Sequence, residues 1–151
     1  MKAQSYALWL LGKRQYTEKQ LRDKLCRKEF EPAEIDATIS KCKKYKYIDD
    51  FNYAKSFVRT RDMFNPRGKR ILRLELLKRG VADDVVARAF EDEEISNRDE
   101  LNMARQLAKK KYLQYAKLDR RVAWRRLYGQ LARRGFDLNI IKEVLDEQFK
   151  R

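Results

Sequence analysis

Histidine is absent from the 151 residues, and the chain has only five glycines, two prolines and two cysteines. Without histidine it lacks the side chain that most often serves as a general base near neutral pH and that commonly binds metals. The sequence also shows no phosphate-cradling glycine loop and no arrangement that would activate a nucleophile. We therefore predict that the protein is not an enzyme and uses no cofactor and no metal.

Long apolar runs are missing too. None approaches the roughly 20 residues that a membrane-spanning helix needs, and the amino terminus lacks the apolar core of a signal peptide. A cytoplasmic protein without a membrane partner is therefore expected. Cys26 and Cys42 both fall on apolar helical positions, so the sequence predicts two buried, reduced thiols rather than a disulfide or a metal site.

Positive charge is abundant instead. Charged residues make up 40% of the chain, the net charge is +14 and the isoelectric point is about 9.9. Such a surface attracts an anionic partner, which could be nucleic acid, an acidic protein face or a membrane. The apolar residues keep helical spacing throughout, which predicts a folded helical chain rather than a disordered one.

One sequence pattern occurs three times. Leu76 is followed by two more residues, a basic residue, Gly80 and an apolar residue, and Leu25 and Leu131 begin matching segments. Recurrence about every fifty residues is typical of an internal repeat. Each copy predicts a helix that ends at a glycine-like stop, then a short turn and a second helix. The further equivalent positions are Leu21, Leu72 and Leu127 before the stop, and Ile35, Val86, Ile141, Ile39, Phe90 and Leu145 after it.

The repeat predicts an all-α fold of three tandem three-helix, helix-turn-helix-like repeats in an elongated, curved array. The predicted modules are residues 1–48, 49–96 and 97–151, with an acidic run at 91–94 marking the second junction. A module of this size buries little core alone, so neighbouring modules are expected to pack together. The middle module is nearly neutral, whereas its neighbours are basic.

Local signals place several helix starts. Thr17 and Gln20 fit a capping box, and Pro32 suits the first turn of a helix. Asp49 and Asp50 are adjacent carboxylates that could suggest a metal or acid-base site, but they are better explained as a helix cap. Asp83 or Asp84 is expected to cap a later helix.

Apolar spacing predicts the core. The first helix should span about residues 2–14, and Leu25, Leu76 and Leu131 should be buried in their modules. The face of the first helix is predicted to hold Ala3, Ala7, Leu10 and Leu11, widened by Tyr6 and Trp9, and the apolar positions of the third module include Val122, Trp124, Leu127 and Leu131.

Together these segments resemble the RecX family of bacterial regulators of the RecA recombinase, over nearly the whole chain. The resemblance implies a binding regulator that docks along the groove of the RecA filament on DNA and limits its growth or promotes its disassembly. Recombinase, ATPase and coprotease activities would fall, in DNA repair and the SOS response. The segments that carry the resemblance are 6–16, 17–25, 47–51 with Ala54, 75–76 with 79–81, and 134–136 with Ile140 and Ile141.

Two positions depart from the family pattern. Glu29 stands where the two later copies have glycine, and a side chain resists positive φ, which argues against a left-handed cap there. In the family an arginine and an apolar residue often precede the Glu-Leu pair, whereas here Ile71 and Leu72 precede the pair that begins at Glu75. This difference argues against transferring a contact by Arg70 from the family to this chain.

The expected partner is the RecA filament, with direct contact to single- or double-stranded DNA left open, and the protein is expected to be a monomer. The binding candidates are basic residues outside the apolar positions, although each also fits a solvated helix face. These candidates are Arg27, Lys28, Lys78, Arg79, Lys109, Lys110, Lys111, Arg125, Arg126, Arg133 and Arg134.

Two other classes of binding protein could also account for a basic helical chain. A sequence-reading DNA binder is disfavoured because the last helix of each predicted module carries carboxylates, which would repel phosphates. A basic helical protein that binds DNA or RNA independently of RecA remains the alternative.

Overall fold

A computed structural model describes residues 1–61 and 65–150, and within these residues it contains nine α-helices and no β-strand. The predicted all-α fold is thus confirmed. The helices are α1 Ala3–Leu11, α2 Glu18–Arg27, α3 Pro32–Lys44, α4 Asp50–Arg59, α5 Lys69–Lys78, α6 Asp83–Asp92, α7 Asn97–Tyr115, α8 Arg120–Arg133 and α9 Leu138–Gln148.

The first three helices pack against one another, and so do the last three. Leu25 and Leu131 are completely buried in these two bundles, and Leu76 is completely buried as well. The predicted equivalence of the three leucines is therefore confirmed. Burying a leucine side chain is worth about 1.5 to 3 kcal/mol, so these positions contribute strongly to each core.

The chain forms two compact units. The first contains residues 1–56 and 75–89, and the second contains residues 57–74 and 90–151. Each of α4, α5 and α6 thus contributes residues to both units. The predicted module boundaries after residues 48 and 96 both fall between helices, and as boundaries they stay a prediction.

Helix starts follow the local signals. The Thr17 hydroxyl accepts a bond from the Gln20 amide at 3.1 Å while the Gln20 side chain accepts from the Thr17 amide, which completes the predicted capping box. Pro32 is the first residue of α3, as expected. Ser96 and Asp99 form a second capping box at the start of α7, which the sequence analysis did not identify.

Helices α2, α5 and α8 end in the same hydrogen-bonded motif. After each helix, one residue has positive φ: 63° at Glu29, 92° at Gly80 and 89° at Gly135. The amide of the next residue donates back to the carbonyl of the equivalent leucine in each repeat, as Val81 does to Leu76 at 3.1 Å. This is the Schellman arrangement, which satisfies carbonyls at the end of a helix.

The argument against a left-handed cap at Glu29 was wrong. Its amide donates to the Cys26 carbonyl at 2.9 Å, and the Phe30 amide donates to the Leu25 carbonyl at 3.5 Å. The left-handed conformation of Glu29 costs about 1 to 2 kcal/mol. Glu29 adopts it because the hydrogen bonds at the helix end and the packing of Phe30 require this conformation.

Three other expectations are corrected. The first helix ends at Leu11 rather than near residue 14. Cys42 is buried, and this burial raises the pKa of its thiol, but Cys26 is exposed. Cys26 follows the buried Leu25 by one residue, a turn of about 100° around the helix that carries it to the solvent side. Trp9 is 53% exposed and lies outside the core.

Candidate basic binding surface

Most of the excess positive charge lies in one segment. Residues 109–134 contain ten lysines and arginines and a single carboxylate, Asp119, so about a sixth of the chain carries +9 of the net +14. The segment comprises the second half of α7 and nearly all of α8. A concentration of one sign of charge creates a local potential that attracts anions.

Three predicted contact residues on α8 share one groove. Arg125, Arg126 and Arg133 line a depression of about 570 Å³, which we call the arginine groove. The Arg126 guanidinium lies 5.9 Å from the centre of the Tyr115 ring on α7. The remaining lining residues are Tyr115, Val122 and Gly129.

Gly129 leaves room for an arginine in this groove. A Cβ atom at this position would lie 3.0 Å from a guanidinium nitrogen of Arg133. A larger residue would therefore displace the Arg133 side chain from where it lies across the helix.

A second depression lies at the amino-terminal part of α8. Arg120, Arg121, Trp124 and Arg125 line this space of about 620 Å³, which we call the tryptophan groove. The Trp124 ring is stacked on Tyr128, with 5.5 Å between ring centres and 19° between planes. Trp124 is nevertheless 41% exposed. The groove thus combines an accessible aromatic ring with three cations.

The charges in these two grooves are not neutralised internally. In the part of the chain that the structure describes, Arg121, Arg125 and Arg133 form no ion pair or hydrogen bond. Arg120 differs, because its guanidinium donates to the Phe149 carbonyl at the end of α9. The arrangement can offer several guanidinium groups to an anionic ligand, and guanidinium is well suited to phosphate and carboxylate groups.

The other candidates on the third repeat lie on α7. Lys109 and Lys110 are exposed, and Lys111 is half-buried. Lys109 helps to lower the pKa of Glu147, although the ion pair with Arg105 has the larger effect.

Candidates in the first compact unit are placed differently. Arg27, Lys28 and Lys78 are exposed at the ends of α2 and α5. The Lys28 ammonium lies 5.2 Å from the centre of the Tyr6 ring.

Arg79 and Arg134 lie where one repeat meets the next. The Arg79 carbonyl accepts a bond from the Thr17 hydroxyl, and the Arg134 carbonyl accepts one from the Gly68 amide at 2.6 Å. Their half-buried side chains donate to Tyr53 at 3.2 Å and to Asn65 at 3.3 Å. Both residues therefore have a structural role at repeat junctions.

Carboxylates complete the same junctions. Asp50 accepts a bond from the Glu18 amide at the start of α2, and Glu100 accepts one from the Lys69 amide at the start of α5, both at 2.9 Å. A carboxylate is favourable at the amino end of a helix, where free amides and the helix dipole point. Helices α2 and α5 are thus each capped by a carboxylate of the following repeat.

The adjacent Asp49 and Asp50 therefore serve two helices. Asp49 accepts a bond from the Asn52 amide at 3.2 Å and caps α4, as the sequence predicted. Asp50 instead caps α2, which the sequence did not indicate. Burial raises the pKa of the Asp50 carboxyl, and the bond from Glu18 opposes this rise.

Sequence reasoning missed the aromatic part of the surface. It placed Trp124 among the apolar positions of the module, whereas Ala123, Leu127 and Leu131 form the buried face of α8. The available signal was the spacing of Trp124 and Tyr128. The two aromatic residues are four positions apart, each lies one position after a residue of the buried face, and arginines surround them in the sequence. Arg120 and Arg121 were not named as candidates, because the groove beside Trp124 was not predicted from the sequence.

None of the described helices combines the length and the apolar character that crossing a bilayer requires.

Comparison with known sequence families identifies three successive matches. They are RecX, first three-helix domain, over residues 3–42; RecX, second three-helix domain, over residues 49–89; and RecX, third three-helix domain, over residues 98–145. The three matches occur in the order of the internal repeat and together cover most of the chain.

Individual relatives agree. Regulatory protein RecX of Chlorobium phaeobacteroides (strain BS1) is 36% identical over 149 residues, covering 99% of this chain and 95% of the relative. Regulatory protein RecX of Leuconostoc mesenteroides is 31% identical, and its match covers 96% of this chain but only 54% of that longer relative. A crystal structure of RecX from Lactobacillus salivarius superimposes with a TM-score of 0.84 at 27% identity, covering 96% of this chain and 93% of the other. The chain therefore belongs to the RecX family of regulatory proteins.

Proposed function

We propose that this protein binds the RecA nucleoprotein filament and lowers its recombinase, ATPase and coprotease activities, by limiting filament growth or promoting disassembly. Membership of the RecX family supports a regulatory role. The observation that carries the proposal further is the pair of arginine-rich grooves on α8, in which Arg121, Arg125 and Arg133 form no ion pair or hydrogen bond within the described part of the chain. A filament of DNA and protein offers a dense anionic target for them.

The positive charge and the repeated modules contribute differently to the proposed filament binding. Guanidinium groups supply attraction that does not depend on sequence and that weakens with salt. Successive modules supply preference for a filament, because contacts with repeated subunits add through effective concentration. The proposed contact residues are those of the arginine groove together with Lys109 and Lys110, and Arg27, Lys28 and Lys78 are proposed as contacts from the first unit.

The test uses RecA assembled on single-stranded DNA, with ATP turnover followed after addition of the full chain. Turnover should fall at amounts well below one molecule per RecA subunit. A triple variant, Arg125→Glu with Arg126→Glu and Arg133→Glu, should lose most of this effect because the groove would then repel the filament.

A matched control separates the groove from net charge. Lys2→Glu with Lys41→Glu and Lys142→Glu reverses three exposed cations outside the two grooves and changes the net charge equally. This control should retain inhibition at moderate salt. Equal loss in both triple variants would contradict a role for the arginine groove, and unchanged turnover with the parent protein would contradict the proposed function itself.

A further inference from the structure

We propose that the tryptophan groove is a binding site for single-stranded nucleic acid, in which an unpaired base stacks on Trp124 and phosphates are held by Arg121 and Arg125. This inference specifies a ligand and a residue role that regulation of a filament does not require. It stands without RecA, so it can hold or fail independently of the proposed function.

The Trp124 ring is stacked on one side and accessible on the other. Tyr128, one helical turn later, covers the ring from the carboxyl-terminal side of α8. On the amino-terminal side the ring borders the tryptophan groove, whose volume of about 620 Å³ lies within the range of about 300 to 1,000 Å³ found for ligand sites. A planar ligand can therefore reach the ring and extend the aromatic stack.

Trp9, the other tryptophan of the chain, has different surroundings. Trp9 is also exposed and stacked on a tyrosine, Tyr6, at 5.9 Å between ring centres. However, the Lys13 ammonium lies only 3.7 Å from the centre of its ring. Trp9 thus already has an aromatic and a cationic partner, whereas Trp124 has only the ring of Tyr128 in the described structure.

The Trp124 ring lies among positively charged side chains. The tryptophan groove is lined by three arginines and no carboxylate, and Arg125 also belongs to the arginine groove. A strand whose base stacks on Trp124 could therefore place neighbouring phosphates on Arg121 and Arg125. Cations that follow a backbone beside an exposed aromatic ring are the usual components of single-strand binding surfaces.

These features favour a single strand over a duplex. Bases in a duplex are already stacked and paired, so their faces are not available to a side chain at the surface. Base stacking on an aromatic residue contributes about 1 to 3 kcal/mol per base and tolerates any sequence. Charge alone would bind both forms, and the tryptophan supplies the difference.

The first experiment measures binding by fluorescence anisotropy to labelled oligothymidylate of about 16 nucleotides, the upper site size of small single-strand modules. Trp124→Ala should weaken this binding by about tenfold, and Trp124→Phe should restore most of it. Trp9→Ala is the matched control, and it should change the affinity by less than about twofold because the ring faces of Trp9 are occupied.

Two further ligands separate stacking from charge. A duplex of equal length, and an abasic strand that keeps the phosphates, should bind the parent and Trp124→Ala almost equally. Oligouridylate distinguishes RNA from DNA as the source of the strand, and comparable dependence on Trp124 for both would assign the site to unpaired bases in general.

A spectroscopic readout locates the base. In a Trp9→Phe background Trp124 is the sole tryptophan, and oligothymidylate should quench its fluorescence whereas the abasic strand should not. The proposal is overturned if Trp124→Ala binds oligothymidylate as tightly as the parent, or if it loses affinity equally for all these ligands. Normal oligonucleotide binding by this variant with loss of RecA regulation would instead assign Trp124 to a protein contact.

Discussion

The hydroxyl of Thr17 donates a hydrogen bond of 2.5 Å to the backbone carbonyl of Arg79, 62 residues further along the chain. The same hydroxyl caps α2 by accepting from the Gln20 amide. One repeat later, the Gly68 amide donates to the Arg134 carbonyl at the equivalent place. The start of α2 is thus joined to the end of α5, and the start of α5 to the end of α8.

Thr17→Val should lower the free energy of unfolding by about 1 to 3 kcal/mol, because it removes both the helix cap and the donor to Arg79 at a completely buried position. Thr17→Ser keeps the hydroxyl and should cost clearly less. Urea denaturation of the two variants measures the difference. If Thr17→Val lost no more stability than Thr17→Ser, the two hydrogen bonds of the hydroxyl would not make the expected contribution.

Gly80→Ala should destabilise the protein by about 2 to 4 kcal/mol, because a side chain there combines left-handed strain with overpacking. The φ of Gly80 is 92°, and its new Cβ would lie 2.3 Å from the Cβ of Lys19. Thermal and urea unfolding provide the measurement.

The matched variant is Glu29→Gly, at the equivalent position of the first repeat. It should stabilise the protein by about 0.5 to 1 kcal/mol, since relief of left-handed strain exceeds the added flexibility of the unfolded chain. Destabilisation by Glu29→Gly would show that this side chain makes a compensating interaction.

Glu100→Gln should cost about 3 to 5 kcal/mol, because it removes the counter-charge of a buried arginine. Glu100 pairs with Arg61, and the two side chains are 5% and 6% exposed. Glu100 also accepts from the Lys69 amide, and glutamine can preserve that bond. Calorimetric or denaturant unfolding measures the loss.

The control for this variant is Asp36→Asn, which breaks the ion pair of Asp36 with Arg22. Their side chains are 68% and 41% exposed, so the change should cost less than about 1 kcal/mol. Similar losses for the two variants would argue against a special contribution from burial.

The raised pKa of Asp50 predicts that the stability difference between the parent and Asp50→Asn depends on pH. Its pKa is raised by burial, so the folded protein binds this proton at a higher pH than the unfolded chain does. The unfolding free energy of the parent, relative to Asp50→Asn, should therefore increase as the pH falls from about 7 through the folded pKa toward the ordinary aspartate value. Below that value the difference should become constant.

Urea titrations of both proteins across this range measure the difference, in which the other carboxylates largely cancel. A parent that instead lost stability relative to Asp50→Asn on acidification would contradict the direction of the shift. It would indicate that the bond from the Glu18 amide outweighs the effect of burial.

Part of the candidate surface followed from charge alone. Arg125, Arg126 and Arg133 were expected at a binding surface because they lie outside the apolar positions, and the structure brings these three into one groove. The exposure of Trp124 was not expected, because an aromatic residue beside a leucine pattern fits a core position equally well. Successive residues of a helix differ by about 100° around its axis, so whether Trp124 faces the core or the solvent depends on how α8 is rotated about that axis. The packing of α8 against its neighbours determines this rotation.

The helices, the caps of α2 by Thr17 and of α4 by Asp49, and the threefold equivalence of Leu25, Leu76 and Leu131 could be predicted from the sequence. These features depend on apolar period and on hydrogen bonds between residues at most a few positions apart, so they can be read along the chain. The left-handed conformation of Glu29, the buried pairing of Arg61 with Glu100 and the groove beside Trp124 became evident only in the folded chain. Each depends on the packing of surrounding helices, and the carboxylate of Glu100 meets its partner 39 residues away only after those helices have packed.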